Sequence, residues 1–320
     1  MLRIKRGHVT AVVSRAEGLA RLEVDGVPCV AYPRLTGPVA LGDEVLVNVQ
    51  ARELGLGSGG FDVLYANMTR GLELPTGADA HVMKLPYTPV QSAARHAEEQ
   101  SDLPAALDGL PVVCASLHSQ VAPVCAGIGG GRRVAYVQLP GGALPVSLSD
   151  TVRELRAREL IEIAVAVDAC VDGDVQCVSA ASALLWCAAE GFDVVVCAIG
   201  PGVVGTGSSF GHGGMPAASA AHAALALGGA PVLAARASQG DPRERHRGVS
   251  HHVRDILRLA DGVTVAWPRG FDPPDGIDVK VVDVDGWEDA CAGLPLAHMG
   301  RGPGDDPLFF AAAFAAGRAV

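Results

Sequence analysis

From residue 111 onward, apolar runs of four to eight residues alternate with stretches of helical spacing. The runs are Val112–Ser116, Arg133–Gln138, Ile161–Val167, Asp193–Ile199, Pro231–Ala235, Val263–Ala266 and Val279–Val282. They are apolar throughout rather than at every second position, the pattern of strands covered on both faces. Between them, Ser147–Glu159, Ala180–Glu190, Pro216–Leu227 and Ser250–Leu259 read as helices, with Ser149 or Asp150 and Ser250 placed to cap two of them. Repeated strand–helix units predict right-handed crossovers and a mostly parallel sheet. The last helix, Pro307–Arg318, is apolar on nearly all sides and is expected to dock on the sheet or on a partner subunit.

Before residue 71 the pattern is different. Val9–Val13, Leu19–Val24, Val27–Tyr32, Val45–Val49 and Phe61–Asn67 are short strands separated by glycine turns. Leu19–Val24 alternates, with Ala20, Leu22 and Val24 on one face, and Asp25-Gly26 is a hairpin turn. The expected fold class is therefore α/β: a mostly parallel, three-layer sheet domain over 111–320, a small SH3/OB-like β-barrel domain over 1–70, and a connecting segment over 71–110 that includes a short helix or polar loop at Gln91–Gln100.

Composition narrows the function classes. The 320-residue chain carries a formal charge of −10 and only 4% aromatic residues, which argues against nucleic acid as a partner without excluding it. The barrel end is locally basic (Arg3, Lys5, Arg6, Arg15, Arg21), which keeps an RNA- or protein-binding module as the alternative reading. The start of the chain has no apolar stretch after its basic residues, and no run reaches membrane-spanning length, so a cytoplasmic protein without a membrane partner is expected. The eight cysteines form no CxxC and sit in apolar runs, as buried free thiols do. Ala/Gly-rich helices are compatible with a homodimer.

Ligands of open parallel sheets bind at the carboxyl ends of the strands, which singles out two segments. The first, from Gly200 to Gly214, follows a buried strand and has four glycines within Gly200–Gly207. Amides of Gly200, Gly202, Gly205 and Gly207, with hydroxyls of Thr206 and Ser208 and the imidazole of His212, are candidates for an anionic group. The loop fits neither the Walker A nor the dinucleotide fingerprint, and a tight structural turn accounts for it equally. The second segment, Gln239–His252, is dense in Arg and His. Arg243 and Arg247 offer guanidinium forks, and His246 and His251 offer proton transfer. Asp241 with His246 and His251 also makes a three-ligand metal set, although the adjacent His251 and His252 diverge on a helix and the metal question stays open. His118, at the end of the first α/β strand, is a third candidate base, and Asp168 after the third strand is either an orienting carboxylate or a turn residue. No GxSxG is present, and no motif names a cofactor.

The segments AYPRLTG (Ala31–Gly37), LGLGSGG (Leu54–Gly60), HVMKLPY (His81–Tyr87), VAYVQLPGGALPVSLS (Val134–Ser149), GPGVVGTG (Gly200–Gly207) and HRGVSHH (His246–His252) together resemble DUF3866, a bacterial family of unknown function, from Met1 to about Pro268. The resemblance transfers no reaction. From the residues themselves, the leading expectation is a small-molecule enzyme, a hydrolase or transferase, acting on an anionic or phosphorylated ligand.

Overall fold

The computed structural model describes every residue except 1, 56–58, 75, 76 and 78, so part of the glycine-rich 54–60 segment lies outside the described residues. The chain forms two compact units, Met1–Ala80 and His81–Val320.

In the first unit, β1 (Ile4–Ala16), β2 (Leu19–Val24), β3 (Val27–Ala31), β4 (Glu44–Asn48) and β5 (Asp62–Asn67) close a barrel in the order β1-β2-β3-β5-β4, with one-turn helices α1 (Pro33–Thr36) and α2 (Gln50–Glu53) between them. Val24 faces Val27 across the two-residue turn, and Asp25 and Gly26 both take the positive φ that such a turn requires. Register shifts after Val9 and Val12 bend the long β1, which pairs with β2 at one end and β4 at the other. The barrel's cations are largely neutralised: Arg3 and Lys5 reach Glu53, Arg6 reaches Glu44, Arg52 reaches Asp62 and Arg70 reaches Asp43.

The second unit opens with the hairpin β6 (Val82–Lys84) and β7 (Ser92–Ala94); within Gln91–Gln100, expected as a short helix or polar loop, the three-residue strand β7 is followed by one 3-10 turn at Ala97–Glu99. Eight parallel strands follow: β8 (Pro111–Ala115), β9 (Val134–Leu139), β10 (Ile163–Ala166), β11 (Val175–Gln176), β12 (Val194–Ile199), β13 (Ala230–Ala234), then β16 (Thr264–Pro268) and β17 (Lys280–Val282), beyond the short antiparallel pair β14 (Ala237–Ser238) and β15 (Gly248–Val249). Their order is β11-β10-β9-β12-β8-β13-β16-β17. Every residue of β9 and β12 is buried, as their unbroken apolar runs require. Helices α3 (Val121–Ile128), α4 (Asp150–Ala157) and α9 (Pro307–Arg318) cover one face; α5 (Ala180–Ala189), α6 (Pro216–Ala226) and α7 (His251–Leu259) cover the other, and α8 (Trp287–Ala290) precedes the final loop. The fold is thus a three-layer parallel α/β unit, and a separate small barrel precedes it in the chain.

All eight cysteines are free and buried. α9 meets α3 through facing glycines: a Cβ on Gly317 would lie 2.0 Å from the Val124 carbonyl, and one on Gly127 would lie 2.3 Å from that of Phe314. No helix among the described residues is long and apolar enough to cross a membrane.

Candidate functional site

From β9 the chain crosses to one side of the sheet and from its neighbour β12 to the other, which makes their carboxyl ends the switch point where a ligand crevice is expected. Here glycine loops fill it. A Cβ on Gly141 would stand 1.9 Å from the Gly213 carbonyl, and one on Gly142 would stand 2.1 Å from that of Gly200. The Ala143 amide donates to Pro201 O (2.7 Å) and the Val204 amide to Gly141 O (3.0 Å). Gly200 and its neighbours therefore answer first to backbone packing. Beyond them the loop turns on itself: Gly205 bridges His212, the Thr206 amide donates to Gly211 O (2.7 Å), and Thr206 Oγ1 lies 2.6 Å from Ser208 Oγ. The exposed tip, Gly205–Phe210, closes on its own hydrogen bonds, and the loop delivers His212 inward.

The second segment is folded back by β14 and β15. This pairing returns the 239–247 excursion to the end of β13, where Ser250 caps α7 by accepting from the His252 amide (3.2 Å) and donates its own amide to Arg236 O (2.9 Å). His246, His251 and His252 consequently gather with His212. The His212 and His252 rings stack at 3.6 Å; His251 stands 5.6 Å from His212 and 4.5 Å from His252, and His246 lies 5.0 Å from His251. The loop tip is tied to this cluster: the Phe210 amide donates to Asp255 Oδ2 (3.1 Å), and that same oxygen faces His212 Nε2 at 3.4 Å.

Hydrogen-bond partners set the tautomers. His251 Nδ1 donates to the Arg245 carbonyl (3.4 Å), leaving Nε2 with its lone pair, buried and unpartnered. His252 Nδ1 accepts from Arg236 (2.8 Å), so its proton sits on Nε2. Burial, reinforced by Arg236, pushes His246 down to about 3 and His252 lower still; burial also lowers His212, against the pull of Asp255. The His212, His246 and His252 rings are therefore neutral at physiological pH.

Arg236 is the charged member of this group. It is 3% exposed, yet among the described residues no carboxylate pairs with its guanidinium; its partner is the neutral His252. Burial lowers it to about 10, Arg243 pushes the same way and Asp241 pulls against them, so it stays cationic at neutral pH. Ser116 Oγ, the ring nitrogens of His212 and Nε2 of His298 are further buried polar atoms without partners in this unit. Such groups are rare in native proteins; others in this unit lie on Glu98, Ser147 and Gln176, so it is the buried guanidinium, not the number of such atoms, that sets this rim apart.

Other sequence candidates are spent elsewhere. His118 lies with Tyr136 and Ser149, not with the cluster: its Nδ1 donates to Ile199 O (3.2 Å), its Nε2 accepts from Ser149 Oγ (2.6 Å), and burial lowers it to about 4. Asp241, the proposed third metal ligand, is gripped by Arg243 through two N–H groups (2.9 and 2.8 Å) and by Arg301 (3.2 Å). Arg247 is exposed, as are Gly202 and Gly207, and Asp168 takes a turn conformation with φ 50°, its carbonyl accepting from Lys84 (2.7 Å). Arg236, His252 and Asp255 were not picked out by the sequence reading; the only trace of Arg236 there is a lone cation directly after an apolar strand. Two surface hollows, about 340 Å³ beside Leu107 and Phe192 and about 440 Å³ beside Arg269 and Trp287, include none of the histidines.

The Arg243 hydrogen bonds hold the Asp241 carboxyl well below its ordinary 3.8, although burial opposes them. A carboxylate depressed in the folded state stabilises above its unfolded value and loses that contribution as pH falls toward the folded one. The second unit is therefore expected to weaken from about pH 5 downward, and Asp241→Asn to flatten that dependence. Urea midpoints at several pH values check this; parallel slopes for the two proteins would contradict it.

No match is found among curated proteins. The family described as protein of unknown function, DUF3866, matches residues 28–272, which include the loop carrying His212 and the whole Arg236–Asp255 stretch. That match spans well over half of the sequence, and the chain belongs to the DUF3866 family.

Proposed function

We propose that the chain is a small-molecule enzyme, a hydrolase or transferase, that takes the anionic, phosphorylated end of its substrate at Arg236 beside His212, His246, His251 and His252. The observation that carries this reading is the buried guanidinium without a carboxylate partner among the described residues. An unpaired charge in a protein interior costs several kcal/mol. A phosphoryl group restores the missing partner and matches the planar fork of arginine. His251 is half-buried, and its unpartnered Nε2 is a proton acceptor at the edge of the cluster.

Titration with inorganic phosphate, pyrophosphate and a phosphomonoester, followed by calorimetry, tests the proposal. Arg236→Gln is expected to weaken binding by about 100-fold, the scale for removing one member of a buried charge pair. Arg236→Met is expected to raise the melting temperature of the unliganded protein, because it removes an uncompensated buried charge. Equal phosphate affinity in Arg236→Gln and wild type, or a less stable Arg236→Met, would count against the site.

A further inference from the structure

The histidines do more than line a site for an anion. His212, His251 and His252 each offer a ring nitrogen, and these atoms lie within 4.8 Å of one another. They come from two chain segments, the loop after β12 and the first turn of α7, and the partners of two of them fix the lone pairs. The Arg245 carbonyl takes the Nδ1 proton of His251, so Nε2 has a free lone pair. The Asp255 carboxylate faces Nε2 of His212 at 3.4 Å, which leaves Nδ1 as its free nitrogen, buried and without a hydrogen-bond partner. The His212 side chain is 1% exposed, so water does not compensate it. A carboxylate behind an imidazole is the arrangement that orients metal-bound histidines and raises their basicity.

We propose that His212, His251 and His252 form a site for a divalent transition-metal ion, with Asp255 as the positioning residue behind His212. Three neutral nitrogen donors suit zinc, cobalt, nickel or copper and disfavour magnesium and calcium, which take oxygen ligands. Zinc–nitrogen bonds of about 2.0–2.1 Å bring the donors closer than they stand now, so the stacked His212 and His252 rings must splay. Arg236 holds Nδ1 of His252, and the cation competes with it for that ring. The cation displaces Arg236 from that nitrogen on its own, and an anion that draws Arg236 away is expected to tighten its binding further. The metal site deepens the proposed function, since it sits at the same rim and gives the anionic substrate a second positive partner.

Titration of the full-length, chelator-treated protein with Zn²⁺ and Co²⁺ in phosphate-free buffer tests the site without reference to any reaction. Wild type is expected to take up one equivalent of either ion, with Co²⁺ giving the visible absorption of a nitrogen-ligated site. His212→Ala and His251→Ala are expected to lose roughly 100-fold or more in affinity, and Asp255→Asn about tenfold. His222→Ala, on the exposed side of α6, is expected to bind as wild type does. His251 is half-buried on the helix surface, so His251→Ala keeps the test valid if His212→Ala fails to fold; circular dichroism reports which does. Arg236→Gln is expected to bind the ions at least as tightly as wild type while losing phosphate, which separates failure of the metal site from failure of the anion site. No stoichiometric uptake by wild type, or undiminished affinity in His251→Ala, would overturn the metal site.

Discussion

Asp306→Ala is expected to destabilise the second unit by about 3–5 kcal/mol, the cost of breaking a buried charge network from one side. Asp306 is fully buried and joins segments far apart in sequence. Its Oδ2 accepts from Ser238 Oγ (2.5 Å) and Arg301 Nε (3.2 Å), and its Oδ1 accepts from the Gln239 amide (2.9 Å). Arg301 in turn reaches Asp241, which Arg243 also holds. Removing the carboxylate strands a buried hydroxyl, a backbone amide and half of a guanidinium. Each lost partner leaves a desolvated donor, and the penalties fall on one small region. The damage reaches the proposed site because Ser238 lies two residues after Arg236, in the strand pair that folds the histidine segment back. Thermal and urea denaturation check the magnitude, and phosphate affinity is expected to fall in the same variant. Asp306→Asn, which keeps one acceptor, should lose less. A loss below 1 kcal/mol in Asp306→Ala would show that the network does not hold the loop.

Gly141→Ala is the second large effect. Gly141 has φ 123°, a conformation that alanine adopts only under strain, and the added methyl would sit 1.9 Å from the Gly213 carbonyl. Strain of about 1–3 kcal/mol adds to overpacking of similar size, for a total of about 4 kcal/mol. The clash is with backbone, so no rotamer relieves it, and Gly213 adjoins His212. Gly207→Ala is the matched control: nothing lies within 4 Å of its added methyl, and its φ is not positive. Stability there should change by less than about 0.5 kcal/mol, and phosphate binding should be unchanged. A folded, unperturbed Gly141→Ala, or loss of phosphate binding in Gly207→Ala, would return the role of anion cradle to the glycine loop.

The strands were legible because a sheet covered on both faces demands unbroken apolar runs, and β9 and β12 are such runs. The hairpin turn at Asp25-Gly26 was legible because few residues accept its dihedral angles. Helix α3 was not legible. Seven of its eight residues are buried, so no polar face marks a period, and Pro123 and Gly127 interrupt any propensity argument. The histidine segment stood out by its density of titratable groups, but which of them converge depends on packing. His252 was set aside because neighbours on a helix diverge. At the first turn of α7 both directions are useful: His252 stacks on His212, and His251 flanks the pair. Arg236 looked like the ordinary polar end of an apolar strand. Its meaning comes from burial without a directly paired carboxylate, Asp241 acting on it only from a distance while Arg243 and Arg301 hold that carboxylate, and none of this is visible in the local sequence. Asp306 and Arg301 lie 68 and 60 residues beyond the Ser238 and Asp241 that they hold, so no local pattern linked them to this segment.

The claim on which the rest depends is that the carboxyl-end rim of the sheet around Arg236 receives an anion. A crystal structure of the protein grown with inorganic phosphate addresses it most directly. The account predicts a phosphate oxygen within hydrogen-bond distance of the Arg236 guanidinium, with His251 beside it. Phosphate found only on exposed cations such as Arg245 and Arg247, with the Arg236–His252 hydrogen bond intact, would contradict it.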